Sequence, residues 1–222
     1  MIFKDRADAG RQLASALQHC ANRPNVLVLG LPRGGVPVAF EVAAALQTPL
    51  DVFVVRKLGA PGHEELAMGA IASGGVVVLN KQVLRALRVA DEVLQAAIAQ
   101  QREELLRRER LYRDHRPPQE IRGRIAILVD DGVATGASMK AAIEGLRQRE
   151  PAQVVVAVPV ASATAEKNLG LLVDDFICLA TPEPFFGVGQ WYDDFRQLGD
   201  DEVRRLLERA YCDPFTHKGE TS

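Results

Sequence analysis

The chain has 222 residues, 47% of them hydrophobic, and 27 lysines and arginines against 29 acids give a net charge of −2. This length predicts one domain that folds without disulfides, and the charge argues against broad nucleic-acid binding. The three cysteines form no CxxC pair, which argues against a disulfide framework or a zinc site. No apolar run reaches the roughly 20 residues that cross a bilayer, and the N-terminus lacks an apolar signal core, so we expect a cytoplasmic protein with no membrane contact.

Short apolar, β-branched runs alternate with helical patterns along most of the chain. The runs lie at 26–29, 52–55, 76–79, 125–129, 154–158 and 176–179, and the helical patterns at about 5–20, 37–46, 138–149 and 162–173. Such uninterrupted runs are typical of strands that are buried on both faces of a parallel sheet. The sequence therefore predicts an α/β fold, a doubly wound and mostly parallel sheet flanked by helices, with ligands beyond the carboxyl ends of the strands.

Glycines and cations follow the first two predicted strands. The first strand runs into a loop that contains Arg33, Gly34 and Gly35, where glycines expose backbone N–H groups and let the arginine point into a ligand cleft. The second strand runs into Arg56 and Lys57, which are followed by glycine and proline. Paired cations in this position are typical of a mobile lid over a polyanion. We therefore predict a polyanion site here, with 58–68 as the lid loop.

A long helical pattern at 91–114 interrupts the alternation of strands and helices. Its apolar stripe consists of Leu94, Ile98, Leu105 and Tyr112. The stripe predicts an amphipathic helix that packs against the sheet or against a dimer partner. Arginines interleave with glutamates on the remaining surface, which predicts a solvated face. These arginines are Arg102, Arg107, Arg108, Arg110 and Arg113.

The segment at 125–138 carries the clearest chemistry. A buried strand ends in Asp130 and Asp131, and a loop of small residues then leads into the start of a helix. Carboxylates accept hydrogen bonds from vicinal ribose hydroxyls. The small loop residues let backbone N–H groups approach a phosphate, and the free amides and dipole of the following helix add to this attraction. The segment therefore predicts a site for a phosphorylated sugar.

This segment resembles the phosphoribosyl-diphosphate (PRPP) signature of type I phosphoribosyltransferases, matched over 127–138 with Ala137 in place of the more usual glycine. The resemblance implies that Asp130 and Asp131 hold the ribose. The PRPP 5-phosphate would lie on Gly132, Val133, Ala134, Thr135, Gly136, Ala137 and Ser138. The pyrophosphate would be bound by Arg33, Gly34, Gly35, Arg56 and Lys57, with Mg²⁺ as cofactor. It also implies a non-proline cis peptide bond between Pro32 and Arg33.

An aromatic, glycine-containing stretch at 182–198 resembles the hood that covers the base in 6-oxopurine phosphoribosyltransferases. Its candidate acceptor residues are Phe185, Phe186, Trp191 and Asp193. Aromatic rings beside glycines are suited to stacking on a planar base, although a packed aromatic cap is the alternative. The strand at 154–160 lacks the lysine with which those enzymes read the purine carbonyl, so guanine and hypoxanthine are disfavoured. A small planar acceptor is expected, and its identity stays open.

The resemblance covers about 25–198 and implies one phosphoribosyltransferase domain over 1–222. We predict a core at about 25–180, a helical insertion at 81–116, a hood at 181–199 and a C-terminal helix at 200–211. The implied enzyme transfers the 5-phosphoribosyl group from PRPP to a nitrogenous base or amine, through a catalytic set of Asp130, Asp131, Arg33, Arg56 and Lys57. A homodimer is expected, because dimers are common in the family. The alternative is a PRPP sensor with little turnover, which the retained cations and the lack of a helix-turn-helix pattern disfavour.

Overall fold

A computed structural model of the chain describes residues 2–60, 62–114 and 116–212, without the side chains of residues 64 and 65. The elements in chain order are α1 (Arg6–Ala16), β1 (Val26–Gly30), α2 (Gly35–Leu46), β2 (Leu50–Val52), β3 (Val55–Ala60), β4 (His63–Ala72), β5 (Val76–Leu79), α3 (Lys81–Leu87), α4 (Asp91–Arg113), β6 (Ile125–Val129), α5 (Ala137–Arg147), β7 (Gln153–Val160), α6 (Ala163–Gly170), β8 (Asp175–Ala180) and α7 (Asp200–Cys212). A parallel sheet with the order β2-β1-β6-β7-β8 forms the centre. The predicted doubly wound, mostly parallel sheet is therefore confirmed.

Helices cover both faces of the parallel sheet. On one face Val26 and Val28 of β1 join a core with α1 and α2. On the other face Leu27 and Leu29 join a core with α5 and α6. Because successive side chains of a strand point to opposite faces, a strand covered on both sides is apolar at every position. This is the physical origin of the uninterrupted apolar runs in the sequence.

A second, antiparallel sheet with the order β3-β4-β5 follows β2. The run at 76–79 forms β5 of this sheet, so its assignment to the parallel sheet is wrong, and the run at 52–55 is divided between β2 and β3. The prediction of a lid loop at 58–68 is also wrong. Strands β3 and β4 form a hairpin there, with Pro61 outside the described residues. The pairing shifts register around Gly59. A β-bulge of this kind accommodates a glycine that the sequence analysis interpreted as a loop residue.

Helix α4 is 23 residues long, and its buried side chains are those of the predicted stripe, Leu94, Ile98, Leu105 and Tyr112. The helix packs against β3, β4 and α7 of its own chain. The prediction that this stripe packs against a sheet is confirmed, and the sheet is the antiparallel one. Within the ranges that the structure describes, no helix is long and apolar enough to cross a bilayer.

Arg113 departs from the predicted solvated face of α4. Its Nε lies 2.9 Å from Oδ1 of Asp51, and its side chain is only 11% exposed. Burial lowers the pKa of Arg113, but the charges of Asp51 and Glu109 outweigh this effect and raise it. The ion pair fixes the C-terminal end of α4 against β2. The arginines that are exposed, as predicted, are Arg102, Arg107 and Arg110.

Candidate active site

The loops that follow β1 and β6 lie against each other at the carboxyl edge of the parallel sheet. The N–H group of Leu31 donates to the Val129 carbonyl at 2.9 Å. A Cβ atom on Gly35 would lie 2.5 Å from that same Val129 oxygen, and one on Gly34 would lie 2.0 Å from Oδ2 of Asp131. Only glycine permits this approach. The predicted diphosphate loop and the acid pair therefore form one continuous surface.

The loop after β1 has the backbone geometry that the family resemblance implies. The peptide bond between Pro32 and Arg33 is cis, so this prediction is confirmed. The side chain of Arg33 is exposed and forms no ion pair with any residue that the structure describes. The sequence therefore places an unneutralised cation directly beside the glycine pair.

The two acids at the end of β6 have different partners. Oδ1 of Asp130 accepts the N–H group of Asp131 at 2.9 Å, whereas Oδ2 of Asp131 lies 2.7 Å from Nε of Arg6. Burial raises the pKa of Asp130 well above its usual range, and the charge of Asp131 adds to this. Burial also raises the pKa of Asp131, against the opposing effect of Arg6. Adjacent carboxyl groups that are costly to ionise are characteristic of functional sites.

Arg6 is a site residue that the sequence analysis did not identify. Besides contacting Asp131, its guanidinium lies 3.9 Å from the centre of the Phe195 ring, and its Nη1 donates to the Arg196 carbonyl at 3.0 Å. Arg6 thus connects α1, the acid pair and the hood. The pairing partner is far away in the chain, so no motif contains both residues. The available signal is a cation in the first turn of a helix, where the helix dipole disfavours positive charge.

The loop at 132–138 connects β6 to α5 and fits the predicted phosphate site. Val133 forms backbone hydrogen bonds with the end of β7 and the residues after it. Gly136 has a φ of +78° immediately before α5, a conformation that glycine adopts without strain. Among the residues described, the amides of 134–138 find no hydrogen-bond acceptor. The exposed hydroxyls in this loop are those of Thr135 and Ser138. Free amides at the N-terminus of a helix are suited to binding an anion.

The hood packs directly onto this loop. The Tyr192 hydroxyl donates to the Asp131 carbonyl oxygen at 2.5 Å. A Cβ atom on Gly132 would lie 2.5 Å from Cγ1 of Val188. Burial raises the pKa of Tyr192, so the hydroxyl remains a donor. Tyr192 could not be identified from the sequence, because nothing in the local sequence distinguishes an anchoring tyrosine from a stacking one.

The four predicted hood residues differ in how much of their surface is free. Phe185 and Trp191 are half-buried in a cluster with Phe3. Asp193 is exposed, and its backbone N–H group donates to the Phe3 carbonyl at 2.9 Å. The ring of Phe186 is 77% exposed. Phe186 is therefore free to meet a ligand, whereas Phe185 and Trp191 support the hood.

The structure does not bring Arg56 and Lys57 to the same place. As neighbours in β3 their side chains point to opposite faces of the strand. Arg56 is half-buried and donates its Nε to Oε1 of Gln101 at 3.0 Å, whereas Lys57 is exposed. In the described part of the chain, neither side chain pairs with a carboxylate. Arg56 is therefore directed toward α4.

The fold and the site together define a class of protein. The carboxyl edge of the parallel sheet carries an acid pair, a loop whose amides lack acceptors among the described residues, and a glycine loop with an exposed arginine. Carboxylates suit sugar hydroxyls, and amides and guanidinium groups suit phosphates. An α/β protein with this arrangement is suited to bind a phosphorylated sugar.

The chain belongs to the phosphoribosyl transferase domain family, whose model matches residues 2–186. It is 50% identical over 212 residues to proteins of two Mycobacterium tuberculosis strains, named "Putative phosphoribosyl transferase MT0597" and "Putative phosphoribosyl transferase Rv0571c". The match covers 96% of this chain and 48% of each relative, so the chain spans about half the length of the curated relatives it matches. The crystal structure of TT1426 from Thermus thermophilus is similar, with 47% sequence identity, a TM-score of 0.82, and coverage of 93% of this chain and 98% of that one.

Proposed function

We propose that this protein transfers the 5-phosphoribosyl group from PRPP to a nitrogen nucleophile and releases pyrophosphate. The observation that carries the proposal is the close approach of Gly34 and Gly35 to the acid pair at the end of β6. This contact brings a candidate diphosphate loop next to candidate ribose ligands. The phosphate loop at 132–138 continues from the same strand. One bound PRPP could therefore contact all three parts.

In this reaction the bond from ribose C1 to the diphosphate oxygen breaks and a bond from C1 to nitrogen forms. The electron pair of the broken bond leaves with pyrophosphate, and the nucleophile loses a proton. The ribose passes through an oxocarbenium-like state, so no covalent enzyme nucleophile is needed. Positioning, stabilisation of the leaving charge and exclusion of water then supply the catalysis.

Asp130 and Asp131 are proposed to hold the two ribose hydroxyls. Oδ2 of Asp131 already accepts a hydrogen bond from Arg6, which leaves Oδ1 for the ligand. Because of this engagement, we do not propose Asp131 as the base that removes the proton of the nucleophile. Arg6 instead makes Asp131 a fixed hydrogen-bond acceptor, and fixed acceptors favour one ribose orientation.

The diphosphate end of PRPP is proposed to lie on Arg33 and Arg56, with Mg²⁺ as the cofactor. Asp130 would supply a carboxylate oxygen, the ligand type that Mg²⁺ prefers, and Mg²⁺ needs few protein ligands when it binds phosphate oxygens. When bound, the ion would neutralise charge on the leaving pyrophosphate. Lys57 is exposed on the other face of β3, so we give it a lesser part than Arg56.

The acceptor is proposed to be a small planar base or amine that stacks on Phe186. The exposed ring of Phe186 supports this assignment. Strand β7 lacks the lysine expected of a 6-oxopurine enzyme, so we propose an acceptor other than guanine or hypoxanthine.

The test is a screen for pyrophosphate release from Mg²⁺-PRPP with a panel of purine, pyrimidine and other planar amine acceptors. We expect release with at least one acceptor, and loss of release in Asp130→Asn. The matched control is Asp114→Asn, an exposed aspartate at the end of α4 with φ of +47°, which asparagine tolerates. Binding of PRPP without release for any acceptor would contradict the transferase proposal in favour of a sensor.

A further inference from the structure

A polar stripe on the inserted helix α4 faces β3, the strand that carries Arg56. Gln101, Glu104 and Arg108 are half-buried, and their spacing of three and four residues puts them on one side of the helix. The C-terminal end of α4 is fixed to β2 by the Arg113–Asp51 ion pair. Because β2 ends at the ligand edge of the parallel sheet, this anchor sets the C-terminal end of α4 next to that edge.

Gln101 fixes the guanidinium group of Arg56. The contact joins Nε of Arg56 to Oε1 of Gln101 at 3.0 Å. It leaves both terminal nitrogens of Arg56 without an acceptor among the described residues. Gln101 and Arg108 lie two turns apart on the same side of α4, so Arg56 and Arg108 face the same stretch of the helix. Burial lowers the pKa of Arg56, and the positive charge of Arg108 lowers it further.

Glu104 fixes Arg108 in a similar way. Nε of Arg108 donates to Oε1 of Glu104 at 2.7 Å. The same carboxylate receives two hydrogen bonds from Arg107, at 2.7 and 3.0 Å. The Glu104 carboxylate therefore accepts hydrogen bonds from two arginines. The terminal nitrogens of Arg108 find no acceptor in the ranges described. Arg56 and Arg108 are thus each held through Nε, and each presents two terminal nitrogens without an acceptor in the described part of the chain.

Tyr112 connects this pair to the loop after β1. Its hydroxyl donates to Oδ1 of Asp200 at 2.7 Å. Burial and the bond to Asp200 raise the pKa of Tyr112, and the positive charges of Arg108 and Arg33 oppose that rise. Tyr112 lies one turn after Arg108 on α4 and packs in one apolar cluster with Val36, which directly follows the loop after β1. Arg56, Arg108 and Arg33 therefore lie on three elements, β3, α4 and the loop after β1, that meet at the ligand edge.

We propose that Arg108, supplied by the inserted helix, binds the diphosphate of the donor together with Arg56 and Arg33. Gln101 and Glu104 act as positioning residues for two of these guanidinium groups. Half-buried like charges repel each other, and a bound polyanion relieves that repulsion. A fork of two N–H donors on each arginine matches the geometry of phosphate oxygens. The inference rests on the proposed function, which it extends by adding a binding residue from outside the family motif.

The experiment measures binding of Mg²⁺-PRPP and, separately, of Mg²⁺-pyrophosphate by titration calorimetry. Arg108→Met is compared with Arg110→Met, because Arg110 is exposed and lies about 200° further round the same helix. We expect Arg108→Met to weaken both ligands about tenfold, and Arg110→Met to change them less than about twofold. Arg108→Lys keeps the charge but loses the fork, so its affinity should lie between those of the wild type and Arg108→Met.

The two probes separate this inference from the proposed function. Equal affinities for Arg108→Met and Arg110→Met, when both are folded by circular dichroism, would overturn the inference alone. Wild type that binds pyrophosphate through Arg108 but does not bind PRPP would support the inference and contradict the transferase. Wild type that binds neither ligand would overturn both.

The positioning role of Gln101 has its own readout. Gln101→Ala should raise the KM for PRPP several-fold, about 3- to 10-fold for one lost hydrogen bond to a charged group, with a smaller change in kcat. Gln100→Ala, at the exposed neighbouring position, is the control. A lower melting temperature for Gln101→Ala with an unchanged KM would mean that the residue is only structural and would contradict this role.

Discussion

Nε of Arg6 lies 2.7 Å from Oδ2 of Asp131, although the two residues are 125 positions apart in the chain. Their side chains are only 10% and 13% exposed. The same guanidinium group contacts the Phe195 ring and the Arg196 carbonyl. One side chain therefore ties the first helix and the hood to the second acid of the candidate PRPP motif.

Removal of Arg6 should affect both stability and ligand binding. Arg6→Met leaves the carboxylate of Asp131 buried without its partner, which should cost about 3 kcal/mol of unfolding free energy. We also expect at least about tenfold weaker Mg²⁺-PRPP binding, because Asp131 loses its fixed orientation. Urea denaturation and calorimetry measure the two effects. Arg11→Met, at a position of α1 whose side chain is 56% exposed, is the control.

A double-mutant cycle tests whether these effects come from the ion pair. The double variant Arg6→Met/Asp131→Asn should lose less unfolding free energy than the two single variants lose when their losses are added. Strict additivity would contradict a direct interaction between the two side chains.

Gly35 should tolerate no side chain. A Cβ atom there would lie 2.5 Å from the Val129 carbonyl oxygen, and backbone atoms in paired strands cannot move away cheaply. We expect Gly35→Ala to lose about 2 kcal/mol or more of stability and to lose PRPP binding. Gly199→Ala is the matched control, since a Cβ atom at Gly199 would meet nothing within 4 Å. Equal melting temperatures for the two variants would refute this close approach.

The Asp130 carboxyl group should make stability depend on pH. Burial raises its pKa, so the folded protein holds this proton more tightly than the unfolded chain does. The wild type therefore loses stability as pH rises from the unfolded pKa, about 3.9, through the raised folded pKa. Asp130→Asn should consequently be more stable than the wild type at about pH 7, and the difference should shrink as pH falls toward about 4.

Chemical denaturation across this pH range measures that difference, with exposed Asp114→Asn as the control. A stability gain for Asp130→Asn that grows as pH falls would have the wrong sign. Stabilisation by removing an acid would also agree with a functional site that is not optimised for stability.

The two hood phenylalanines should separate acceptor binding from stability. Phe186→Ala removes a ring that is 77% exposed, so it should raise the KM for the acceptor about tenfold with little change in melting temperature. Phe185→Ala removes a half-buried ring of the cluster around Phe3 and should lower the melting temperature instead. An unchanged KM for the acceptor in Phe186→Ala would contradict the stacking role of this ring.

The buried strands of the parallel sheet and the acid motif could be predicted because the patterns that indicate them are local. Strand β6 and the loop after it lie in one continuous segment, and burial on both faces leaves an apolar run that the sequence displays directly. The cis bond between Pro32 and Arg33 followed from the family resemblance alone. In each case the residues that determine the feature are neighbours in the chain.

The remaining features depend on contacts between distant residues. An apolar run such as 76–79 has the same pattern in a parallel and an antiparallel sheet, so the strand order could not be derived from it. The Arg113–Asp51 pair joins residues 62 positions apart, and the Arg6–Asp131 pair joins residues 125 positions apart. The charge pattern of α4 predicted solvation for Arg113 because its partner lies on another element.

The central claim is that the acid pair and the facing glycine loop bind PRPP. Titration calorimetry with PRPP, with and without Mg²⁺, tests it most directly on the wild type and on the double variant Asp130→Asn/Asp131→Asn. We predict Mg²⁺-dependent binding to the wild type and its loss in a folded double variant. A folded wild-type protein that binds no PRPP in the presence of Mg²⁺ would contradict the claim.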